Sequence, residues 1–374
     1  MNMKMLKRIG VIALSAAILL GCTSKKQDDF IVSYSVHAEK MNMEQLTEAL
    51  NAAKSHGATQ VVVWTTHAHA RPHEARDIEI NRVAARYAHS IGLKYGVGMV
   101  CCMRKGMPQD WYAVNRLGQP SDEFPAYKER YKFLDPHKPE VHQYLKETIA
   151  AFTLIPDVDF IALDLLRYPD VIMAAGLRPR YGVFQEDEYA PADYCYCDLC
   201  VNTFKERTGI DIRAVEDPST CAEWARFRCD VVADLANDIA QEVHSRGKEI
   251  SAFVFPGPTK AIQVVRQDWS KWNMDSYMPM NFNCLYETDM QWLKDVTVEE
   301  VEAAGKTPLI SIFYLSKNWP NRDNETDCLK RGLTPSELEQ AIIDAKEAGV
   351  QGIGMGFSLL SPEHFEVMDK YFVK

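Results

Sequence analysis

Along the chain, apolar runs of four to eight residues alternate with stretches of ten or more in which apolar residues return every three or four positions. The first pattern suits strands buried on both faces, the second helices with one buried stripe. The predicted strands are Phe30–Val36, Gln60–Trp64, Lys94–Cys101, Asp159–Leu163, Glu249–Phe255, Asp275–Met280, Pro308–Tyr314 and Gly352–Phe357. The predicted helices are Met43–His56, Asp77–Ile91, Pro139–Phe152, Cys221–Arg246, Glu287–Ala304, Pro335–Ala348 and Pro362–Tyr371, with shorter pieces near Val201–Thr208 and Asp268–Trp272. Gly57, Gly92 and Gly349 follow three of the helices, where a residue without Cβ closes the last turn.

Eight such strand and helix units predict an α/β fold, a (β/α)8 TIM barrel. Long inserts follow strands three and four, running to Pro136 and to about Pro218. A doubly wound open sheet would need a glycine-rich phosphate turn after the first strand, and Ser35–Lys40 contains no glycine. No linker, repeat or low-complexity stretch interrupts residues 30–374, so they read as one domain.

Residues 1–29 read differently. Lys4, Lys7 and Arg8 precede an apolar run, Ile9–Leu20, too short to span a bilayer comfortably. Leu19-Leu20-Gly21-Cys22 then has the form of a lipobox. The expectation is a signal peptide over 1–21, a lipid-modified Cys22 and a polar tether over 22–29. It places the protein in the bacterial cell envelope, anchored to the outer membrane by lipid and reaching its surface. The 374 residues carry 52 acids against 42 bases, a net charge of −10. No basic stripe is present, which argues against a nucleic-acid partner and for a small or neutral one.

Barrel chemistry sits at the C-terminal ends of the strands. The polar and aromatic residues there are His37, Trp64, Thr66, His67, His69, Arg104, Asp164, Arg167, Tyr168, Asn281, Tyr314 and Trp319. Such a rim suits a carbohydrate, whose C–H faces stack on rings and whose hydroxyls need polar partners. Asp164 is the sharpest case. It ends the buried run Phe160–Leu163, and Arg167 stands three residues on. The functional reading is a nucleophile or general acid positioned by Arg167; the other is a helix cap or a structural Asp–Arg pair. His67 and His69 would share one side of an extended segment, as metal-ligating pairs do. The ends of strands five to eight carry no histidine to complete such a site, so sugar binding is the better reading for both.

Cys195, Cys197 and Cys200 form a C-x-C-x-x-C cluster. Three thiolates so spaced can occupy one face of a tetrahedral zinc site. Disulfides are the alternative in an oxidising compartment.

Two segments resemble those of the family-10-like glycosyl hydrolases, which are barrel proteins: Phe133-Leu134-Asp135-Pro136-His137-Lys138-Pro139-Glu140-Val141, and Asp159-Phe160-Ile161-Ala162-Leu163-Asp164-Leu165-Leu166-Arg167-Tyr168-Pro169. Gln267-Asp268-Trp269 and Met278-Pro279-Met280-Asn281-Phe282 resemble a further segment of that group. The resemblance implies a glycoside hydrolase with Asp164 in the catalytic place. The stretch Cys195–Gly209 resembles the cysteine-bearing loop of family 42 β-galactosidases. There a fourth cysteine completes the set, which implies Cys101, or its neighbour Cys102, here. Such a zinc would be structural, and no catalytic cofactor is implied.

A glycosidase needs two carboxylates flanking the bond. The fifth strand ends Ala252-Phe253-Val254-Phe255-Pro256 and the eighth Gly356-Phe357-Ser358, with no acid in either. The second carboxylate is therefore expected from a loop. Glu287 ranks first because it follows strand six, ahead of Asp289, Asp170, Glu186 and Asp135. If no loop acid reaches the site, the chain is a glycan-binding lipoprotein on a hydrolase-like barrel.

Overall fold

The computed structural model describes residues 30–65, 75–185 and 187–373. Cys22, His67, His69 and Glu186 lie outside the described residues. Every described strand and helix lies in one compact unit, Ile31–Lys374.

The strands are β1 Ile31–His37, β2 Gln60–Trp64, β3 Lys94–Val100, β4 Phe160–Asp164, β5 Glu249–Val254, β6 Ser276–Asn281, β7 Ile310–Phe313 and β8 Gly352–Gly356. They close into a barrel in sequence order, and every neighbouring pair is parallel, β8 on β1 included. The helices are α1 Met43–Ser55, α2 Ala75–Ser90, α3 Pro139–Thr153, α4 Arg178–Tyr181, α5 Asp198–Thr208, α6 Ala222–Ser245, α7 Pro258–Val265, α8 Asn283–Tyr286, α9 Met290–Ala304, α10 Pro335–Ala348 and α11 Pro362–Phe372. The fold is a (β/α)8 barrel. All five residues of β2 are buried, as a parallel strand covered on both faces requires. Among the described residues no helix is long and apolar enough to cross a membrane.

Two local departures from the sequence pattern affect the site. Helix α7 lies where the pattern assigned no element; its eight residues are too few for a helical period to stand out, and Pro258 opens it at a position where a missing N–H costs nothing. The helix expected from Glu287 begins instead at Met290, because the Asp289 carboxylate accepts the Trp292 N–H at 2.9 Å and caps it. Glu287 closes the short α8 with φ at +54°.

Inside the barrel, alternate positions face inward, and glycines make room for the largest neighbours. A Cβ on Gly98 would stand 2.4 Å from the Trp64 indole, one on Gly96 2.3 Å from the Phe160 ring, and one on Gly354 2.6 Å from Ile312. Strands β3 and β8 thus carry little bulk so that β2, β4 and β7 can project across. Below this layer, Gln60 donates to Ser33 at 3.2 Å and the Ser251 and Ser276 hydroxyls meet at 2.7 Å. We expect Gly98→Ala to lower stability by about 1–3 kcal/mol, because the added methyl would overlap the buried Trp64 indole. A thermal midpoint equal to the parent's would show that Trp64 can move aside.

The two long inserts pack on each other. Asn115 in the first bridges to Tyr194 in the second. Asp193 is ion-paired with the buried Arg228 of α6, whose guanidinium also donates to the Tyr194 carbonyl at 3.0 Å.

Candidate active site and metal centre

At the C-terminal mouth of the barrel lies a cavity of about 310 Å³. Its walls come from alternate strand positions: Ser35 and His37 of β1, Trp64 of β2, Asp164 of β4, Phe253 of β5 and Met280 of β6. Loop residues Glu39, Phe282 and Tyr314 complete it. The His37 ring stacks on Trp64, centroids 5.9 Å apart and planes 15° from parallel, and Trp64 in turn leans on Phe253 at 5.7 Å. Tyr314 is fixed by its hydroxyl, which donates to the Leu329 carbonyl at 2.9 Å, and by Phe282 at 5.2 Å.

Among the described residues two carboxylates line this cavity, Asp164 and Glu39. Asp164 accepts the N–H of its own successor, Leu165, at 2.6 Å. Burial pushes its pKa above the ordinary carboxylate range, while Arg167, the Leu165 N–H and His37 act in the opposite direction. Leu165 has φ at +52°, the left-handed region that a leucine enters at a cost of about 1–2 kcal/mol. Strain of this kind persists only where the surroundings enforce it. Glu39 follows β1 by two residues. Its side chain is 17 % exposed and stands 3.3 Å from the His37 Nδ1.

Among the described residues, Arg104, Arg167, Tyr168, Asn281 and Trp319, also expected at the rim, do not line this cavity. Arg167 is buried against Asp170 at 2.8 Å, between the rings of Phe133 and Phe255. Arg104 is buried and donates to the Val100 carbonyl. Asn281 is a position out of phase with the cavity-lining Met280. It faces the helix layer, donating to Glu300 at 2.9 Å and to Ser311 at 2.8 Å. Trp319 opens a 3-10 turn, Trp319–Asn324, beside Glu363. Glu287 lines a separate cleft between α8 and the β7–α10 loop, 3.5 Å from Arg331, because its left-handed backbone turns it away from the barrel mouth. Tyr168 turns to the cysteine cluster.

That cluster contains Asp135, Cys195, Cys197 and Cys200, all buried, with one donor atom from each within 4.8 Å of the others. The Asp135 carboxylate lies 3.2 Å from the Cys195 sulfur, 3.1 Å from Cys197 and 3.5 Å from Cys200. Cys101, expected as the fourth donor, is not in the group. It continues directly from β3, with its N–H on the Asp164 carbonyl at 2.8 Å and its thiol toward the Met99 carbonyl. The chain reaches the cluster only on its return through Phe133–Asp135. All nine cysteines from Cys101 to Cys328 are unpaired thiols.

The group can bind a metal. Three thiols and a carboxyl compete for protons in a dry space. Burial and the Cys197 charge push Asp135 up to about 8, while hydrogen bonds from Cys195 and Cys200 pull Cys197 down to about 2. A cation would let all four ionise. Sulfur and carboxylate donors in a set of four match tetrahedral zinc. The Tyr168 hydroxyl, buried and without a hydrogen-bond partner among the described residues, lies in the electrostatic reach of the same four donors.

Its structural neighbours are glycoside hydrolases. The catalytic domain of the β-amylase of Paenibacillus polymyxa superposes with a TM-score of 0.59 at 12% identity, over 92% of this chain and 98% of that one. The β-galactosidase of Marinomonas ef1 gives 0.63 at 11% identity, over 90% of this chain and 58% of that one. The β-galactosidase of Bacillus circulans sp. alkalophilus gives 0.59 at 12%, over 91% and 56%. The chain therefore spans little more than half of either β-galactosidase. At this identity the likeness is one of fold. No protein-family model matches the sequence, and no curated protein matches it.

Glu39 is the residue that the sequence pattern did not single out. Its one signal was position, an acid two residues beyond a strand end that already carried a histidine.

Proposed function

We propose that this chain is a glycoside hydrolase acting on an oligo- or polysaccharide, with Asp164 and Glu39 as its two carboxylates. The observation that carries the reading is their convergence on one aromatic-walled cavity at the barrel mouth. Asp164, whose protonated form burial favours, acts as the general acid that protonates the departing oxygen. Glu39 supplies the second carboxylate, which attacks the anomeric carbon or activates water. Trp64 with its stacked His37, and Tyr314, offer ring faces to the sugar. The cavity is at the small end of the range for ligand pockets, about 300–1,000 Å³, and takes the sugar at the cleavage point rather than a long chain. Zinc at Asp135, Cys195, Cys197 and Cys200 has a structural part, because four protein donors leave no position for water. A lipid-anchored Cys22 would display the enzyme at the cell envelope.

The test is hydrolysis of a panel of aryl glycosides and oligosaccharides by the parent and by Glu39→Gln. We expect turnover of at least one glycoside, reduced by about two to three orders of magnitude in the variant, the cost typical of removing one such group. Binding without turnover across the panel would make the chain a glycan-binding protein instead.

A further inference from the structure

We propose that the Asp135–Cys195–Cys197–Cys200 centre, with a metal ion bound, is the support that holds the Asp164–Tyr168 turn in its working shape. Its relevance to turnover rests on the reading of Asp164 given above; the mechanical coupling does not.

Two routes connect the centre to the turn. The first is backbone. Asp135 follows Leu134, whose N–H donates to the Cys102 carbonyl at 2.8 Å. The Cys102 N–H donates to the Leu165 carbonyl at 3.1 Å, and the Leu165 N–H reaches the Asp164 carboxylate at 2.6 Å. Three successive hydrogen bonds thus run from a metal donor's neighbour to the carboxylate. The second route is the Tyr168 side chain, four residues past Asp164. It is 1% exposed, and its hydroxyl, without a hydrogen-bond partner among the described residues, is within electrostatic reach of all four donors. Between the two routes sits Leu165, the strained residue.

The donors also come from both inserts. Asp135 ends the excursion after β3, and the three cysteines belong to the one after β4. A metal ion bonded to all four ties the chain entering the mouth to the chain leaving it. Other holds on the turn come from elsewhere: the Cys101 N–H donates to the Asp164 carbonyl at 2.8 Å, Gln267 donates to the Leu166 carbonyl at 3.1 Å, and Arg167 pairs with Asp170 and donates to the Tyr168 carbonyl at 2.9 Å. None of these fixes the Leu165 carbonyl, which is held by Cys102. With the ion removed, Leu165 keeps its strain and loses part of what enforces it, so the turn is the first place to open.

The experiment is hydrogen exchange read by mass spectrometry on the zinc-loaded full chain, on the same protein after chelation, and on Cys200→Ser, with metal content measured in each. We expect about one zinc per chain in the loaded protein. Its loss should speed exchange about tenfold in peptides covering 132–137 and 164–168, with β1 and β7 unchanged, and zinc readdition to the chelated protein should restore protection. Asp135→Cys, which keeps four donors, should retain both metal and protection. The proposal is overturned if no zinc binds, if metal loss loosens only residues 193–209, or if every strand exchanges faster together. A coupled turn alongside a fully active Asp164→Asn variant would leave the coupling standing and remove Asp164 from catalysis.

Discussion

Asp164→Asn is expected to lose about three orders of magnitude in kcat/KM on natural glycosides, near 4 kcal/mol of transition-state stabilisation, with the fold intact. The loss follows from its place: a carboxyl lining the mouth cavity, kept above the ordinary carboxylate range by burial and so able to carry a proton to the departing oxygen. The fold should survive because the one hydrogen bond the side chain makes among the described residues, from the Leu165 N–H, is accepted equally well by an amide oxygen. Leaving groups sort the role. An aryl glycoside whose leaving group needs no proton should retain far more activity in the variant than a natural glycoside does. Equal loss on both would assign Asp164 as the nucleophile instead. Full activity on both would return it to the role of a structural residue.

Stability of the parent should fall as pH rises from about 4.5 to about 8, and Glu300→Gln should flatten that slope. Glu300 is wholly buried in α9, between Asn281 and the Gly257 N–H, and burial pushes it from 4.5 up to about 8. The folded protein therefore holds this proton more tightly than the unfolded chain does. The contribution is complete below the unfolded value and is lost as pH climbs through the folded one. At about 1.4 kcal/mol per unit, the whole span amounts to roughly 5 kcal/mol as an upper figure. The variant has no such proton to lose, and its amide can donate to Asn281 Oδ1, which lacks a partner in the parent. Thermal midpoints at pH 5, 6, 7 and 8 measure the slope. Zinc-loaded protein is required, because metal-free Asp135 would titrate in the same window. Parallel slopes in parent and variant would remove Glu300 as the cause.

The barrel was legible because its strands are apolar on both faces and its helices are not, a contrast that survives without knowledge of any contact. Asp164 was legible for the same reason: a charge at the end of Phe160–Leu163 has to emerge where the strand does. Asn281 offered the same signal and stands elsewhere. The difference is phase, since Met280 faces the cavity and its successor must face the helices, and phase depends on register across the barrel. Glu39 depends on a turn. Ala38 donates to the Trp64 carbonyl at 2.7 Å and Met41 to the Ala38 carbonyl at 3.1 Å, and that curl brings residue 39 over the mouth. The fourth donor of the cluster was misassigned because proximity to a strand end suggested Cys101, whereas the chain delivers Asp135 by way of the far side of an insert.

The glycine-bearing eighth strand has a consequence for how this cavity can change. Gly356 is the one glycine in its wall, and a Cβ there would meet first the tip of the Leu359 side chain, at 3.1 Å. Gly98 and Gly354 are locked by the indole and by β-strand neighbours, but Gly356 borders open space and a side chain that can swing. Its φ is −70°, which any residue adopts. A methyl group at 356 would narrow the cavity without touching either carboxylate or the strands below. The size of the cavity can thus change at a position separate from both carboxylates and from the packing below, and, on the proposed function, so can the sugar it accepts.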